Sequence, residues 1–367
     1  MRAPAGSRVG GGTVLKITES FRFKGKPVRC REHGSGLVNR TYCVFCDSGA
    51  KYILQRVNRE AFQDPPALMN NIDKIIRYLK PRVRSPRETL SLVATVDEGI
   101  YARDEAGEFW RAYDYIADSI CLERADGPAV FYESGLAYGR FLEMLSSFPL
   151  RELTETIPRF HDTVFRYERF KDTVGRDPLG RLREVREEID FALSREPFAA
   201  LFMELLRRGA LPLRVTHNDT KLNNVLFDRR TRRALCVIDL DTVMPGLIMN
   251  DFGDAIRFGA NSAAEDETDL SLVGLDLELF RAFTGGFIES CGGQMTELER
   301  ELLPAGVKMM TLECGVRFLT DYLEGDTYFQ TEYPEHNRDR CRAQFALFRD
   351  LEKKEAEMAR IVRGKGT

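Results

Sequence analysis

The chain has no uninterrupted apolar run near the ~18 residues that a bilayer span requires. It also lacks a paired-cysteine framework and any surplus of one charge. Each absence removes a class of protein. Without a long apolar run, no transmembrane helix and no membrane partner are expected. Lys and Arg number 54 against 57 Asp and Glu, a net charge of -3, which gives no electrostatic reason to bind nucleic acid. The eight cysteines are scattered through apolar segments, as suits a reducing, cytoplasmic setting rather than a secreted one. Cys43 and Cys46 form a lone CxxC, but no second pair and no histidine cluster complete four zinc ligands. The opening residues MRAPAGSRVGGG carry basic groups without an apolar segment. They read as a flexible tail over residues 1–19, not as a secretory signal.

What is present is 367 residues, more than one ordinary core holds, with a pattern that changes along the chain. Within residues 20–116, short alternating runs at 41–45, 52–57 and 110–116 predict strands. One helix is predicted over 66–79, where Leu68, Ile72, Ile75, Ile76 and Leu79 recur at three- and four-residue spacing. Within residues 117–367 the windows 130–145, 197–208, 277–288, 297–323 and 337–362 have helical periodicity, and only 225–240 looks like strand. The expectation is an α+β, two-lobed chain with a small β-rich N-terminal lobe, a larger helical C-terminal lobe and a hinge near 115–118. A monomer is expected.

The segment RVTHNDTKLNNVLFDRRTRRALCVIDLD, residues 214–241, concentrates polar groups. His217, Asp219, Lys221, Asn223 and Asn224 stand just before two apolar runs that flank a polar turn at 228–233. An antiparallel return about that turn brings Asn224 beside Asp239. An amide oxygen and a carboxylate together suit a hard cation such as Mg²⁺, which completes its octahedron with water and nucleotide phosphates. Asp219, five residues ahead of Asn224, suits a carboxylate that takes a proton from a substrate hydroxyl while the metal neutralises phosphate charge. Asp and Asn are also common in loops for local hydrogen-bonding reasons. An HxDxxxxN pattern followed at hairpin distance by Ile-Asp is far more specific than one loop Asp.

HNDTKLNN followed by VIDLD resembles the phosphotransferase family of aminoglycoside phosphotransferases, choline kinases and related small-molecule kinases. The resemblance implies a protein-kinase-like fold. It places Asp219 at the catalytic-base position, Asn224 and Asp239 at the metal positions, and His217 at the histidine that supports the catalytic turn. Within the family, YILQRVN, LTETIPRFHDT, PLRVTHNDTKLNNVLFD, DFGDAIRFGAN and ECGVRFLTDYLEGDTYF are similar to the N-acetylhexosamine 1-kinases. That likeness implies ATP as co-substrate, Mg²⁺, and a free N-acetylhexosamine as acceptor at its anomeric hydroxyl.

Further positions follow. GSGLVNRTY, residues 34–42, offers Gly34 and Gly36 in a turn whose backbone N–H groups can cover phosphates, with Asn39 and Thr41 beside it. Where protein kinases carry a phosphate-pairing Lys, YILQRVN offers Gln55 on one face and Arg56 on the other. Adenine is expected along Tyr113, Asp114, Tyr115 and Ile116. On the 297–323 helix, Met310, Cys314, Arg317 and Asp321 share a face. Arg317 and Asp321 form either a surface ion pair or acceptor contacts, and the resemblance favours the acceptor for Arg317 and Tyr328. Asn223 is placed with them. The tripeptide DFG at 251–253 is expected to brace the catalytic loop through Asp251 rather than to bind metal. Asp241 is open between orienting Asp239 and touching a second metal. His33, His161 and His336 are expected to be structural or surface residues.

Overall fold

The computed structural model describes residues 11–34 and 38–364. The chain divides into two compact units, one ending at Asp118 and one beginning at Ser119.

The first unit contains α1 (Gly11–Thr18), β1 (Pro27–Glu32), β2 (Arg40–Cys46), β3 (Lys51–Arg56), α2 (Pro65–Leu79), β4 (Ala102–Arg103) and β5 (Phe109–Asp114). The strands form one antiparallel sheet in the order β1-β2-β3-β5-β4. Alternation decides its faces. Tyr42, Val44, Tyr52, Leu54, Trp110 and Ala112 turn inward against Val14, Ile17 and Phe21. Trp110 is a core residue whose Nε1 donates to Asp104 Oδ2 at 2.8 Å. Helix α2 starts where Asp64 accepts the Ala67 N–H, with prolines at its first positions. Cys43 and Cys46 are free, and burial pushes both thiols above their ordinary range, so the CxxC is not a thiolate pair.

The second unit contains β6 (Ser119–Ile120), α3 (Pro128–Leu145), α4 (Thr163–Arg176), α5 (Arg186–Leu193), α6 (Glu196–Ala199), α7 (Leu201–Arg207) and β7 (Arg214–Thr216). There follow β8 (Val225–Asp228), β9 (Ala234–Val237), β10 (Met244–Gly246), α8 (Ile248–Gly259) and α9 (Leu277–Cys291). The chain ends with α10 (Glu297–Glu301), α11 (Leu303–Glu324) and α12 (His336–Val362). The single helix expected over 297–323 is two. Pro304 stands in the first turn of α11, where its missing N–H costs nothing, but it cannot continue a preceding helix. The window 197–208 likewise divides into α6 and α7. Helix α8 is amphipathic, with Asn250, Asp251, Asp254 and Arg257 opposite Ile248, Met249, Phe252, Ala255 and Ile256, yet both faces are buried.

Helices α8 and α11 touch through glycines. A Cβ on Gly253 would lie 2.3 Å from the Gly306 carbonyl oxygen, and one on Gly306 would lie 2.3 Å from that of Met249. The DFG tripeptide therefore lies within a helix, its Phe252 is in the core, and its Gly253 admits α11. Helix α11 in turn carries Glu313, Arg317 and Asp321. Among the described residues, no helix is long and apolar enough to cross a membrane.

Candidate active site

The catalytic loop leaves β7 at Thr216 and enters β8 at Val225. Three carboxylate and side-chain brackets hold its backbone. Asp251, in the first turn of α8, accepts the His217 N–H on Oδ2 at 2.8 Å and the Asn218 N–H on Oδ1 at 2.7 Å. Asp254, one turn later, accepts the Thr220 N–H at 3.1 Å, and Thr220 Oγ1 donates to the Asp251 carbonyl. Thr242 Oγ1 donates to the His217 carbonyl at 2.7 Å. The bracing expected of Asp251 is thus present. Burial raises the Asp251 carboxyl to about 6, against the pull of His217 and the two N–H donors. For Asp254, burial also raises, but the Arg257 guanidinium wins and the carboxyl is held below its ordinary value.

This bracing supports a strained turn. Asn218, immediately before Asp219, has φ 63°, and Asp239 has φ 59°. Non-glycine residues adopt that left-handed region at a cost that the surroundings must offset. At Asn218 the surroundings are visible: its Nδ2 donates to the Thr242 carbonyl at 2.9 Å and its Oδ1 receives the Thr216 hydroxyl at 3.0 Å. At Asp239 the turn ends β9 earlier than the run 234–240 suggests.

His217 is fully buried, edge-on to Tyr138 and Phe141. Its Nδ1 accepts the Asp219 N–H at 3.3 Å, so Nε2 carries the hydrogen that reaches the Ile238 carbonyl at 2.9 Å. It is a positioning residue that ties Asp219 to the strand leading into Asp239. Asn224 donates through Nδ2 to the Asp219 carbonyl at 2.8 Å and to Asp219 Oδ2 at 2.9 Å. Its amide nitrogen is occupied on Asp219, and its oxygen is the atom left for a cation. The hairpin register pairs Val225 with Val237, and the Ile238 N–H donates to the Asn224 carbonyl at 2.9 Å. Asp239 thus follows one residue past the partner of Asn224, close to the sequence expectation.

Lys221, to which sequence reasoning assigns no role, lies 3.1 Å from Asp219 Oδ1. Asp219 above all, and Asp239 and Asp254 further off, raise its ammonium well above the ordinary lysine range against the cost of burial. The signal in the sequence is the spacing Asp-x-Lys inside the HxD loop. Tyr138 fixes the same segment by donating to the Lys221 carbonyl at 2.7 Å. Asn223 is turned aside, its Nδ2 donating to Glu123 at 2.9 Å.

The acceptor candidates lie on α11 and the loop after it. Arg317 faces the rings of Phe160, Tyr328 and Phe329 with its guanidinium carbon 5.4–5.7 Å from their centroids. Arg317, Tyr328 and Phe329 line a cavity of about 30 Å³ together with Arg166, Arg169, Thr320 and Asp321. Burial and the neighbouring Arg317 lower Arg166 to about 10. Asp321 differs from its expected role. Its carboxylate accepts the N–H groups of Thr327, Tyr328 and Phe329 and the Asn337 amide, so it shapes the loop that presents Tyr328. Nor does it pair with Arg317, whose carboxylate neighbour is Glu313 at 3.9 Å.

In the first unit, Thr41, Gln55 and Arg111 form one row across β2, β3 and β5. Gln55 Nε2 donates to Thr41 Oγ1 at 3.0 Å, and Arg111 Nε donates to Gln55 Oε1 at 2.9 Å. Gln55 therefore orients a guanidinium, while Arg56 pairs in register with Trp110. Asn39 Oδ1 accepts the Asn58 N–H at 2.9 Å, joining the Gly-containing turn to the end of β3. Gly34 has φ +77°; Gly36 lies outside the described residues. Asp114 ends β5, and Tyr115 and Ile116 follow it.

Among the described residues no three His, Cys, Asp or Glu side chains form a ready metal cage. The Asn224 oxygen and the Asp239 carboxylate still fit a Mg²⁺ that takes one or two protein oxygens and fills its shell with phosphate and water.

A β-sheet unit followed by a helical unit, with a braced Asp-x-Lys loop leading into an Asn and a hairpin Asp, defines a kinase-like phosphotransferase. Residues 29–279 match the phosphotransferase enzyme family, and the chain belongs to it. It is an enzyme that transfers phosphate to hydroxyl groups of small molecules. The fold is similar to that of amicoumacin kinase hAmiN, solved with AMP-PNP, Ca²⁺ and Ami, at a TM-score of 0.63 and 15% identity over 95% of this chain and 94% of that one. A microcompartment-associated aminopropanol kinase has the same TM-score and identity over 94% and 98%. Choline kinase from Cryptosporidium parvum is similar at a TM-score of 0.58 and 13% identity over 94% and 96%.

Proposed function

We propose that this phosphotransferase moves the γ-phosphate of ATP to the anomeric hydroxyl of a free N-acetylhexosamine, giving the sugar 1-phosphate. The observation that carries the chemistry is the pair of bonds from Asn224 Nδ2 to Asp219. They hold the carboxylate in place and leave the amide oxygen for the cation. Asp219, only partly covered, orients the acceptor hydroxyl and takes its proton as the phosphoryl group is transferred. Lys221 offsets the Asp219 charge in the resting loop and offers a cation to the transferring phosphoryl oxygens. Mg²⁺, when bound at Asn224 and Asp239, neutralises the charge that develops on the phosphates. In the first unit, Gln55 stands where a phosphate-pairing Lys is expected and holds the buried Arg111, and Asp114, Tyr115 and Ile116 serve the adenine.

The acceptor assignment rests on the sequence likeness together with the charge of the α11 pocket. Arg317 and Arg166 oppose a cationic acceptor, and a guanidinium beside Tyr328 suits hydroxyl and acetamido oxygens. Choline, aminopropanol or an aminoglycoside is the second reading, favoured by the fold neighbours that act on amines. Asp219→Asn should lower kcat by roughly 10²–10⁴-fold while ATP affinity, measured by calorimetry, stays within a few fold. Near-normal turnover by that variant would remove the base from the mechanism. Faster turnover of an amine than of any N-acetylhexosamine would replace the acceptor.

A further inference from the structure

His161 has no partner at motif spacing in the sequence and reads there as structural, yet in the folded chain it lies against the catalytic loop. Its Nε2 is 3.1 Å from the Asn218 carbonyl oxygen, and its Nδ1 is 2.9 Å from Glu313 Oε1 on α11. A carbonyl and a carboxylate both accept and neither donates, so each ring nitrogen must carry a hydrogen and the ring must be imidazolium. The ring is held from its own side as well. It stacks obliquely on Phe160 at 4.4 Å, whose carbonyl receives Arg166, and it precedes Asp162, whose carboxylate caps α4. Earlier in the same loop, Thr156 donates to the Asp241 carbonyl at 2.8 Å. One segment, residues 153–163, therefore reaches both halves of the site: the Asp219 turn through His161 and the Asp239 turn through Thr156.

The acceptor point on the catalytic side is the carbonyl of the peptide that joins Asn218 to Asp219. Asn218 is in the left-handed region, where rotation of that peptide would swing the Asp219 side chain. On the other side, Glu313 lies one helical turn before Arg317, at 3.9 Å from it. Its second oxygen is buried without a hydrogen-bond partner among the described residues.

We propose that His161 is a positioning residue for Asp219: as a buried cation bridging Glu313 and the Asn218 carbonyl, it fixes the peptide that aims the base and links it to the helix bearing Arg317. This rests on the reading of Asp219 as the base. The charged groups around the ring agree with it. Glu313 on α11 and Asp251 and Asp254 on α8 favour the cation, while Arg317 opposes it, and Arg166 faces Glu313. Burial lowers the imidazole, but Glu313 and the two hydrogen bonds outweigh it, so the ring stays charged above its ordinary range. The bridge is present below that raised value and is lost as pH rises through it.

The test compares wild type, His161→Gln, Glu313→Gln, the double variant and Asp219→Asn, with ATP, Mg²⁺ and N-acetylglucosamine or N-acetylgalactosamine. His161→Gln should lower kcat about 10- to 100-fold with the KM for ATP within twofold, and should remove the alkaline limb of the wild-type kcat profile. The double variant, which removes both charges of the bridge although Arg317 then loses its Glu313 neighbour, should melt no lower than Glu313→Gln and remain slow. Histidine-selective ¹⁵N spectra, with His161→Gln assigning one of four imidazoles, should show both His161 nitrogens protonated at about pH 7.5. A neutral His161 ring at that pH, or a kcat for His161→Gln within twofold of wild type while Asp219→Asn is dead, overturns the proposal. Activity retained by Asp219→Asn overturns instead the base reading beneath it.

Discussion

Asn224 brings one amide nitrogen and one amide oxygen to the loop, and both bonds of the nitrogen run to Asp219. That division makes the residue irreplaceable by Asp, which has no donor, and poorly replaceable by Gln, whose longer stem moves both atoms. The same reasoning applies in the first unit, where Gln55 turns its oxygen to Arg111 and its nitrogen to Thr41. Arg111 is fully buried, so Arg111→Gln should lower stability by about 1–3 kcal/mol in denaturant melts, the cost of disturbing a buried charge-assisted hydrogen bond. Any loss of ATP binding should be matched by an equal loss for adenosine, which has no phosphate. A loss confined to ATP in calorimetric titrations would mean instead that Arg111 reaches phosphate. Alternation along β3 shows that Gln55 and Arg56 face opposite ways. It does not show that the charge on the Gln55 face comes from the next strand, because that depends on the register between β3 and β5.

At the scale of elements, α8 does two jobs with one sequence. Its first turns present Asp251 and Asp254 to the catalytic loop, and Gly253 lets α11 approach closely. Asp251→Asn replaces an acceptor by an amide that cannot accept on both sides, leaving the His217 or Asn218 N–H unsatisfied. The expected loss is about 1–3 kcal/mol, read from denaturant melts at neutral pH, together with slower turnover. The pH dependence has a definite sign. Burial lifts Asp251 from the ordinary carboxylate range to about 6, so between those values the folded state binds more protons than the unfolded one. Its contribution to stability is therefore fully present below about pH 4 and falls as pH rises to about 6. Asp251→Asn should flatten that part of the stability profile. The bracing role is legible in the sequence, because Asp251 lies too far past Asp239 to share a hairpin mouth with it. The helix that carries it is not among those expected, although Asn250, Asp251, Asp254 and Arg257 recur at helical spacing; what the pattern does not reveal is that this polar face is itself buried. The division at Leu302 is hidden for a local reason: periodicity continues across it, and only Pro304 marks the break.

For the molecule as a whole, the transfer chemistry and the acceptor pocket differ in how the chain encodes them. The chemistry is proposed for residues close in sequence, His217, Asp219, Lys221, Asn224 and Asp239, and their spacing points to the class and the kinase-like fold. The pocket proposed for the acceptor is assembled from distant pieces: Arg166 on α4, Arg317 on α11, and the loop with Tyr328 and Phe329 that Asp321 organises. No spacing rule reports such a pocket, which is why Asp321 reads as a ligand and His161 as a bystander. The acceptor atom decides which kinase this is. Incubation with ATP, Mg²⁺ and a panel of N-acetylhexosamines, other sugars, choline and aminopropanol, followed by phosphorus and carbon NMR of the products, locates it directly. A new ester is expected on C1 of an N-acetylhexosamine, absent with Asp219→Asn; phosphate on C6, or on an amino alcohol and no sugar, would contradict the proposed acceptor.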